Sequence, residues 1–167
     1  VFMGAGAAAS LQKSLIKNSG EISASRVTQK GGRILLEAGS ISNSGKIDVS
    51  SITDGGGIDV SADHIEILPG SILDASGIRQ GGSIAIGGGW QGARIGTRDT
   101  ATSVSVDKGA TIDASARLSG DGGSIVIWSD VDNPNSITEV SGRLLATGGL
   151  LSGNGGGIET SGYKIIF

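Results

Sequence analysis

Ile16-Lys17-Asn18-Ser19-Gly20-Glu21-Ile22-Ser23-Ala24 returns 25 residues later as Ile41-Ser42-Asn43-Ser44-Gly45-Lys46-Ile47-Asp48-Val49, and that recurrence decides how the chain is read. The single glycine of the unit comes back, more loosely, in Gly70-Ser71-Ile72, Gly109-Ala110-Thr111-Ile112 and Gly142-Arg143-Leu144. A second unit, paired glycines leading to an isoleucine, is interleaved with the first. It occurs as Gly31-Gly32-Arg33-Ile34, Gly56-Gly57-Ile58, Gly81-Gly82-Ser83-Ile84, Gly122-Gly123-Ser124-Ile125 and Gly156-Gly157-Ile158. Two interleaved units at a near-constant period describe one supersecondary element stacked on copies of itself, because no single copy can bury its own apolar side.

Within each unit apolar and polar residues alternate: Ile47 and Val49 flank Asp48, Ile65 and Ile67 flank Glu66, Ile112 and Ala114 flank Asp113. Period-two alternation turns the aliphatic side to a core and the Asp, Glu and Ser side to water. Only residues 5–17 carry any helical spacing, and glycine and serine interrupt it. Short strands punctuated by glycine and repeating near 25 residues predict an all-β parallel β-helix, a solenoid of about six coils with one repeat per coil. Ile22, Ile47, Ile72, Ile112 and Leu144 are expected to stack as one internal ladder. A second ladder is expected from Ile34, Ile58, Ile84, Ile125 and Ile158, and Asn18 and Asn43 are expected to pair at a turn. Successive single glycines lie 25, 25, 39 and 33 residues apart, so two coils carry excess chain. That excess is placed near 87–103 and 129–140, as loops outside the core, where recognition tends to sit.

Composition narrows the class. The chain has 167 residues, 31 of them glycine and 2 proline, without the Gly-X-Y period of collagen. An apolar fraction of 37% argues against disorder, and 3% aromatic residues argue against a core built on large rings. The net charge of −3 gives no reason to expect nucleic acid. With no cysteine there are neither disulfides nor thiolate metal sites. No apolar run reaches the ~18–20 residues of a membrane span. Val1 to Ala9 lacks a basic leader and a starting Met, so the expectation is the interior of a longer chain and not a signal peptide.

Gly81-Gly82-Ser83-Ile84-Ala85-Ile86-Gly87-Gly88-Gly89-Trp90-Gln91-Gly92 resembles a signature of paired glycines, alternating apolar residues, more glycines and an aromatic. Gly109–Ser115, Gly120–Asp130 and Gly153–Gly162 follow in the order expected of it. Over roughly residues 14–167 the chain thus resembles the shaft of filamentous-haemagglutinin-like exoproteins of the two-partner secretion pathway. The resemblance implies a right-handed parallel β-helix, one segment of a longer exoprotein, exported by a Gram-negative bacterium and held on, or released from, the cell surface. It implies an outer-membrane transporter as partner of the parent protein; no cofactor is expected. Asn-Pro-Asn motifs mark the family's secretion domain; here Asn133-Pro134-Asn135 falls inside a late insertion and is read as a turn. The segment is accordingly expected downstream of the secretion signal.

Candidate chemistry is sparse. His64 beside Asp63 is the one histidine, and nothing in the spacing brings a serine to it as a triad requires. Asp48, Asp74 and Asp113 fall at matching positions of successive coils and are expected to form an outward column. The alternation breaks at Ile125-Val126-Ile127-Trp128, which predicts an insertion packed over Trp128. Trp90, with Arg94 and Arg98 on the longest insertion and Arg79 nearby, forms the candidate ligand site: an aromatic platform with guanidinium groups suits a glycan. The expected function is that of a secreted structural and adhesive rod without catalysis, presenting loops for cell or host-surface attachment in virulence. Two alternatives stand beside it. One is a glycan- or host-protein-binding module using the 87–103 loop; the other is a polysaccharide-active β-helix enzyme, for which clustered carboxylates would be needed. Strand edges at the two ends are expected to allow end-to-end self-association.

Overall fold

The structure, a computed structural model, describes residues 14–24 and 31–167 together with the backbone of residues 2–4. Most of the opening stretch Val1 to Ala9 and of the 5–17 segment lies outside these residues; Phe2–Gly4 and Leu15–Asn18 are strands.

The short alternating runs become strands because β-branched residues favour a pleated, half-buried surface and the glycines between them end each run. The chain winds through β1 (Phe2–Gly4), β2 (Leu15–Asn18), β3 (Glu21–Ser23), β4 (Arg33–Glu37), β5 (Ser40–Asn43), β6 (Lys46–Asp48), β7 (Gly57–Ser61), β8 (His64–Ile67) and β9 (Ile72–Asp74). It continues through β10 (Ser83–Ile86), β11 (Ser103–Val106), β12 (Thr111–Asp113), β13 (Ser124–Trp128), β14 (Ile137–Val140), β15 (Arg143–Leu145), β16 (Gly157–Ser161) and β17 (Lys164–Ile166). Every third strand pairs in parallel. Sheet A runs β1-β4-β7-β10-β13-β16, sheet B β2-β5-β8-β11-β14-β17 and sheet C β3-β6-β9-β12-β15. The architecture is a parallel β-helix of six coils, the last contributing to sheets A and B only.

The paired-glycine unit predicts its register correctly. Ile34, Ile58, Ile84, Ile125 and Ile158 are partners in sheet A, and the first four are fully buried. The Asn18 amide donates to Asn43 Oδ1 at 2.8 Å, as expected.

The other ladder differs by one residue. Its members are Ile22, Ile47, Leu73, Ile112 and Leu144; Ile72 pairs with Lys46 and Thr111 on the outer face and is 43% exposed. The cause is the corner before β9. Ser71 N–H donates to Leu68 O at 3.1 Å, closing a turn through Pro69 and Gly70, whose φ is +85°. Two residues then lie between Gly70 and its ladder position Leu73, where one lies between Gly45 and Ile47. Because side chains alternate, a slip of one residue reverses the face. Leu73→Ala is therefore expected to cost ~2–5 kcal/mol, and Ile72→Ala within about 0.5 kcal/mol, both read from urea midpoints.

Where sheet C hands over to sheet A, Gly32, Gly56, Gly82, Gly123 and Gly156 stack on one another. A β-carbon on any of the last four would stand within about 2.1 Å of the carbonyl oxygen of the glycine one coil earlier.

Candidate functional site

Three corners between sheets A and B are two residues long: Ala38-Gly39, Ala62-Asp63 and Gly162-Tyr163. Among the described connections of this kind two are longer: residues 87–102 join β10 to β11, and residues 129–136 join β13 to β14, so that Ile137–Val140, expected in the second insertion, is a strand of sheet B instead. In the second loop Asn135 N–H donates to Asn133 Oδ1 and Ser136 N–H to Asn133 O, so Asn133-Pro134-Asn135 is a turn.

The first loop returns over the outer face of sheet A, where Leu35, Ala85, Val126 and Trp128 point outward. Ala101 N–H bonded to Gly87 O at 2.8 Å pinches its base. Gly88 and Gly92 lie against the Trp128 indole, each so close that a β-carbon would meet the ring at about 3 Å. Trp128 is thereby covered, 9% exposed, as its unbroken apolar run predicts.

The far side of the loop is held by groups distant in sequence. Ser61 Oγ donates to Ile95 O at 3.1 Å. Thr97 donates to the Glu37 carboxylate from both its N–H, at 3.2 Å, and its hydroxyl. Glu37, 2% exposed, was not foreseen from the sequence: it closes an otherwise regular strand, and its partner lies 60 residues away. Arg98 Nη2 meets Asp63 Oδ1 at 2.5 Å, with the arginine side chain only 10% exposed and its Nε buried without a partner. A loop held at both ends and by its own middle is a compact Ω-type loop.

The four residues grouped from the sequence separate in space. Trp90 stands 56% exposed on a tight turn, Trp90–Gly92, in which Gln91 has a φ of +53°, with its ring near Gly157 and the Gln91 N–H bonded to Glu159 Oε2 at 3.1 Å. Arg94 is exposed beside it in sequence and paired with Asp99. Arg98 is internal to the loop's attachment. Arg79 belongs to the connection between β9 and β10, where it faces Asp54 at 3.8 Å, and no hydrogen bond or ion pair joins it to the other three.

His64 does meet a serine. Register sets Ser103 beside it, with Oγ 2.8 Å from Nδ1. The arrangement is not that of a triad: the serine occupies the nitrogen that a carboxylate would orient, and the Asp63 carboxylate is turned to Arg98.

The aspartate column forms as expected, Asp48, Asp74 and Asp113 being register partners in sheet C. Each carboxylate accepts the N–H of the residue two positions on: Ser50, Ser76 and Ser115. Lys46 reaches Asp48 at 2.5 Å, and Arg117 lies 3.4 Å from Asp74 and 3.8 Å from Asp113. The column is thus a set of turn caps with cations between them. Among the described residues no group of three His, Cys, Asp or Glu side chains converges as a metal site.

Burial pushes the Asp48 carboxyl up, but hydrogen bonds from Lys46 and Ser50 outweigh it, and the pKa lies below the usual carboxylate value. Lys46 is raised by its bond to Asp48 against a smaller opposing effect of burial. Asp48 stabilises the fold above its unfolded pKa, and that contribution is lost as pH falls through the lower folded value. The Lys46 contribution is complete below the ordinary lysine value and is lost as pH rises through the raised one. Lys46→Met is expected to flatten both limbs, as followed by urea midpoints between about pH 2 and pH 11.

No family model matches the chain, and no curated protein matches it. Among solved structures it is similar to the HMW1 secretion domain from Haemophilus influenzae, with a TM-score of 0.77 and 28% sequence identity. The match covers 92% of this chain and 40% of that one, so the chain spans about two fifths of the length of the structure it resembles. The fold is that of a parallel β-helix protein, and that solved structure is a secretion domain. No helix among the described residues is long and apolar enough to cross a membrane.

Proposed function

We propose that the chain is a β-helical segment of a longer, secreted bacterial surface protein of the two-partner, filamentous-haemagglutinin-like type, and that it serves attachment without catalysis. The observation that supports this reading is the likeness to a secretion domain over 92% of the chain. In this reading the stacked coils are a stiff support, and the 87–102 loop is the contact surface for a host glycan or protein. Trp90 is its platform and Arg94 the adjacent charge, while Arg98 holds the loop in place. Stacking on an indole face and bidentate bonding from a guanidinium are the contacts such a ligand would use. Strand edges at the ends of the coil stack favour end-to-end association.

Beads carrying the purified chain are expected to attach to epithelial cells or to a glycan array. Trp90→Ala is expected to abolish attachment without lowering the melting temperature, because the ring is largely exposed. Attachment unchanged in that variant would remove the loop from the reading; a folded chain that attaches to nothing would leave it as a support.

The same neighbour favours a second reading of the segment's place in the parent. The Asn-Pro-Asn position led to the expectation of a segment downstream of the secretion signal, whereas the similar structure is itself a secretion domain. In this second reading the segment contacts the outer-membrane transporter. Binding to the periplasmic domains of a two-partner transporter, measured by surface plasmon resonance, would support it, and its absence would return the segment to the rod.

A further inference from the structure

A second surface, on the other side of the coil from the 87–102 loop, carries unpaired charge. On the outer face of sheet C a hollow of about 360 Å³ is lined by Asp113, Ser115, Arg117, Arg143, Thr147 and Leu150, among others. The two arginines reach it from different elements, Arg117 from the connection after β12 and Arg143 from the first position of β15.

Their engagements differ. Arg117 donates from Nε to Ser76 Oγ at 3.0 Å, and its Nη2 lies 3.4 Å from Asp74 and 3.8 Å from Asp113. One face of that guanidinium is used by the aspartate column. Arg143 is exposed; its N–H is bonded to Ala110 O within the sheet, and no hydrogen bond or ion pair engages its guanidinium. The structural role of capping cations between aspartates therefore accounts for Arg117 and leaves Arg143 without a task. Two guanidinium groups on one hollow repel each other, and an anion between them relieves that repulsion while accepting their remaining N–H donors.

The rest of the lining says what kind of anion. Ser115 is buried and its Oγ accepts the Thr147 N–H at 3.1 Å, which leaves the exposed Thr147 hydroxyl available. Leu150, 89% exposed, stands on the rim as an apolar surface. Guanidinium, hydroxyl and aliphatic contacts together suit an acidic sugar, which has a charged group, hydroxyls and an apolar ring face. A hollow of this size is in the range that holds a small ligand.

The geometry points to an acidic-glycan site at Arg117 and Arg143, the sugar's carboxylate or sulfate group lying between the two guanidiniums. This site is separate from Trp90 and stands whether or not the loop attaches to anything. The whole chain is titrated by calorimetry with a uronic-acid oligosaccharide, a sulfated oligosaccharide and their neutral counterpart. Saturable binding of one or both acidic ligands is expected, with none of the neutral one, and the two acidic arms tell carboxylate from sulfate. Arg143→Gln is expected to weaken that binding about tenfold or more with an unchanged melting temperature, since the Arg143 guanidinium has no partner to lose. Lys108→Gln, which removes an exposed cation elsewhere, is expected to leave binding intact. Absence of saturable binding by the folded chain, or equal losses in Arg143→Gln and Lys108→Gln, would overturn the site. Trp90→Ala in the same titration keeps the two surfaces apart, because the loop's failure would leave this binding unchanged.

Discussion

Gly123→Ala is expected to abolish the folded state. A β-carbon at Gly123 would stand 1.8 Å from Gly82 O, and 2.8 Å from the carbonyl carbons of Gly81 and Gly82. All three are backbone atoms of the preceding coil, so no side chain can swing aside. The coil cannot retreat either. Gly123 N–H is bonded to Ala114 O at 2.7 Å, its carbonyl accepts Gly157 N–H at 3.0 Å, and Ser124 N–H is bonded to Gly82 O at 2.9 Å. Parallel strands lie ~4.8 Å apart, and opening that spacing at one corner breaks rungs in the sheets it joins. A domain is stable by only about 5–15 kcal/mol, so the loss of several rungs is enough to unfold it. Gly155→Ala is the matched control. Its β-carbon would have Ala146 O, at 3.8 Å, as its nearest neighbour, and a change within about 0.5 kcal/mol is expected. Circular dichroism and urea unfolding of the two variants decide the matter; a Gly123→Ala chain that melts with the wild type would refute the packing described for these corners.

Trp128→Ala is the second large effect. The indole is the floor on which the turn of the 87–102 loop rests, with Gly88 and Gly92 against its faces. Removing a buried ring of this size costs ~3–5 kcal/mol. The loss has a local signature as well as a global one. Bonds that close the loop, such as Ala93 N–H to Trp90 O and Ala101 N–H to Gly87 O, are expected to lose hydrogen-exchange protection before the rungs of sheet B do. Trp128→Phe is expected to keep part of both. Unchanged protection at Ala93 and Ala101 in the alanine variant would mean that Glu37, Arg98 and Ser61 hold the loop without the indole.

The coil architecture was legible in the sequence because a solenoid repeats its local rules. Alternation of aliphatic and polar residues names the buried face, and paired glycines mark a corner where neighbouring coils touch backbone to backbone. The ladder from Ile34 to Ile158 follows from that alone. The ladder through Ile47 did not follow at coil three, because a single glycine marks a turn without stating its length. Leu68 to Ser71 forms a turn with one more residue between glycine and strand, and the side chains change face.

The site was legible only in part. The break in alternation at Ile125–Trp128 announced a covering loop, and the excess chain said where it begins. Nothing in the spacing announced that Glu37 would accept the Thr97 hydroxyl, or that Arg98 would turn inward to Asp63. Nor could Ser103 be set beside His64 until the length of the intervening loop and the register of β8 on β11 were known. Arg79, near Trp90 in sequence, belongs to a different corner. Neighbours along a coil are separated by sheets, whereas neighbours across coils are dozens of residues apart. The sequence by itself determined the repeat and, outside β9, the buried face of the ladder strands, since these rest on local periodicity and glycine sterics. Only the tertiary structure decided which charges are spent holding the loop and which, like Arg143, remain free, because that depends on which coil each side chain meets after the chain has wound around.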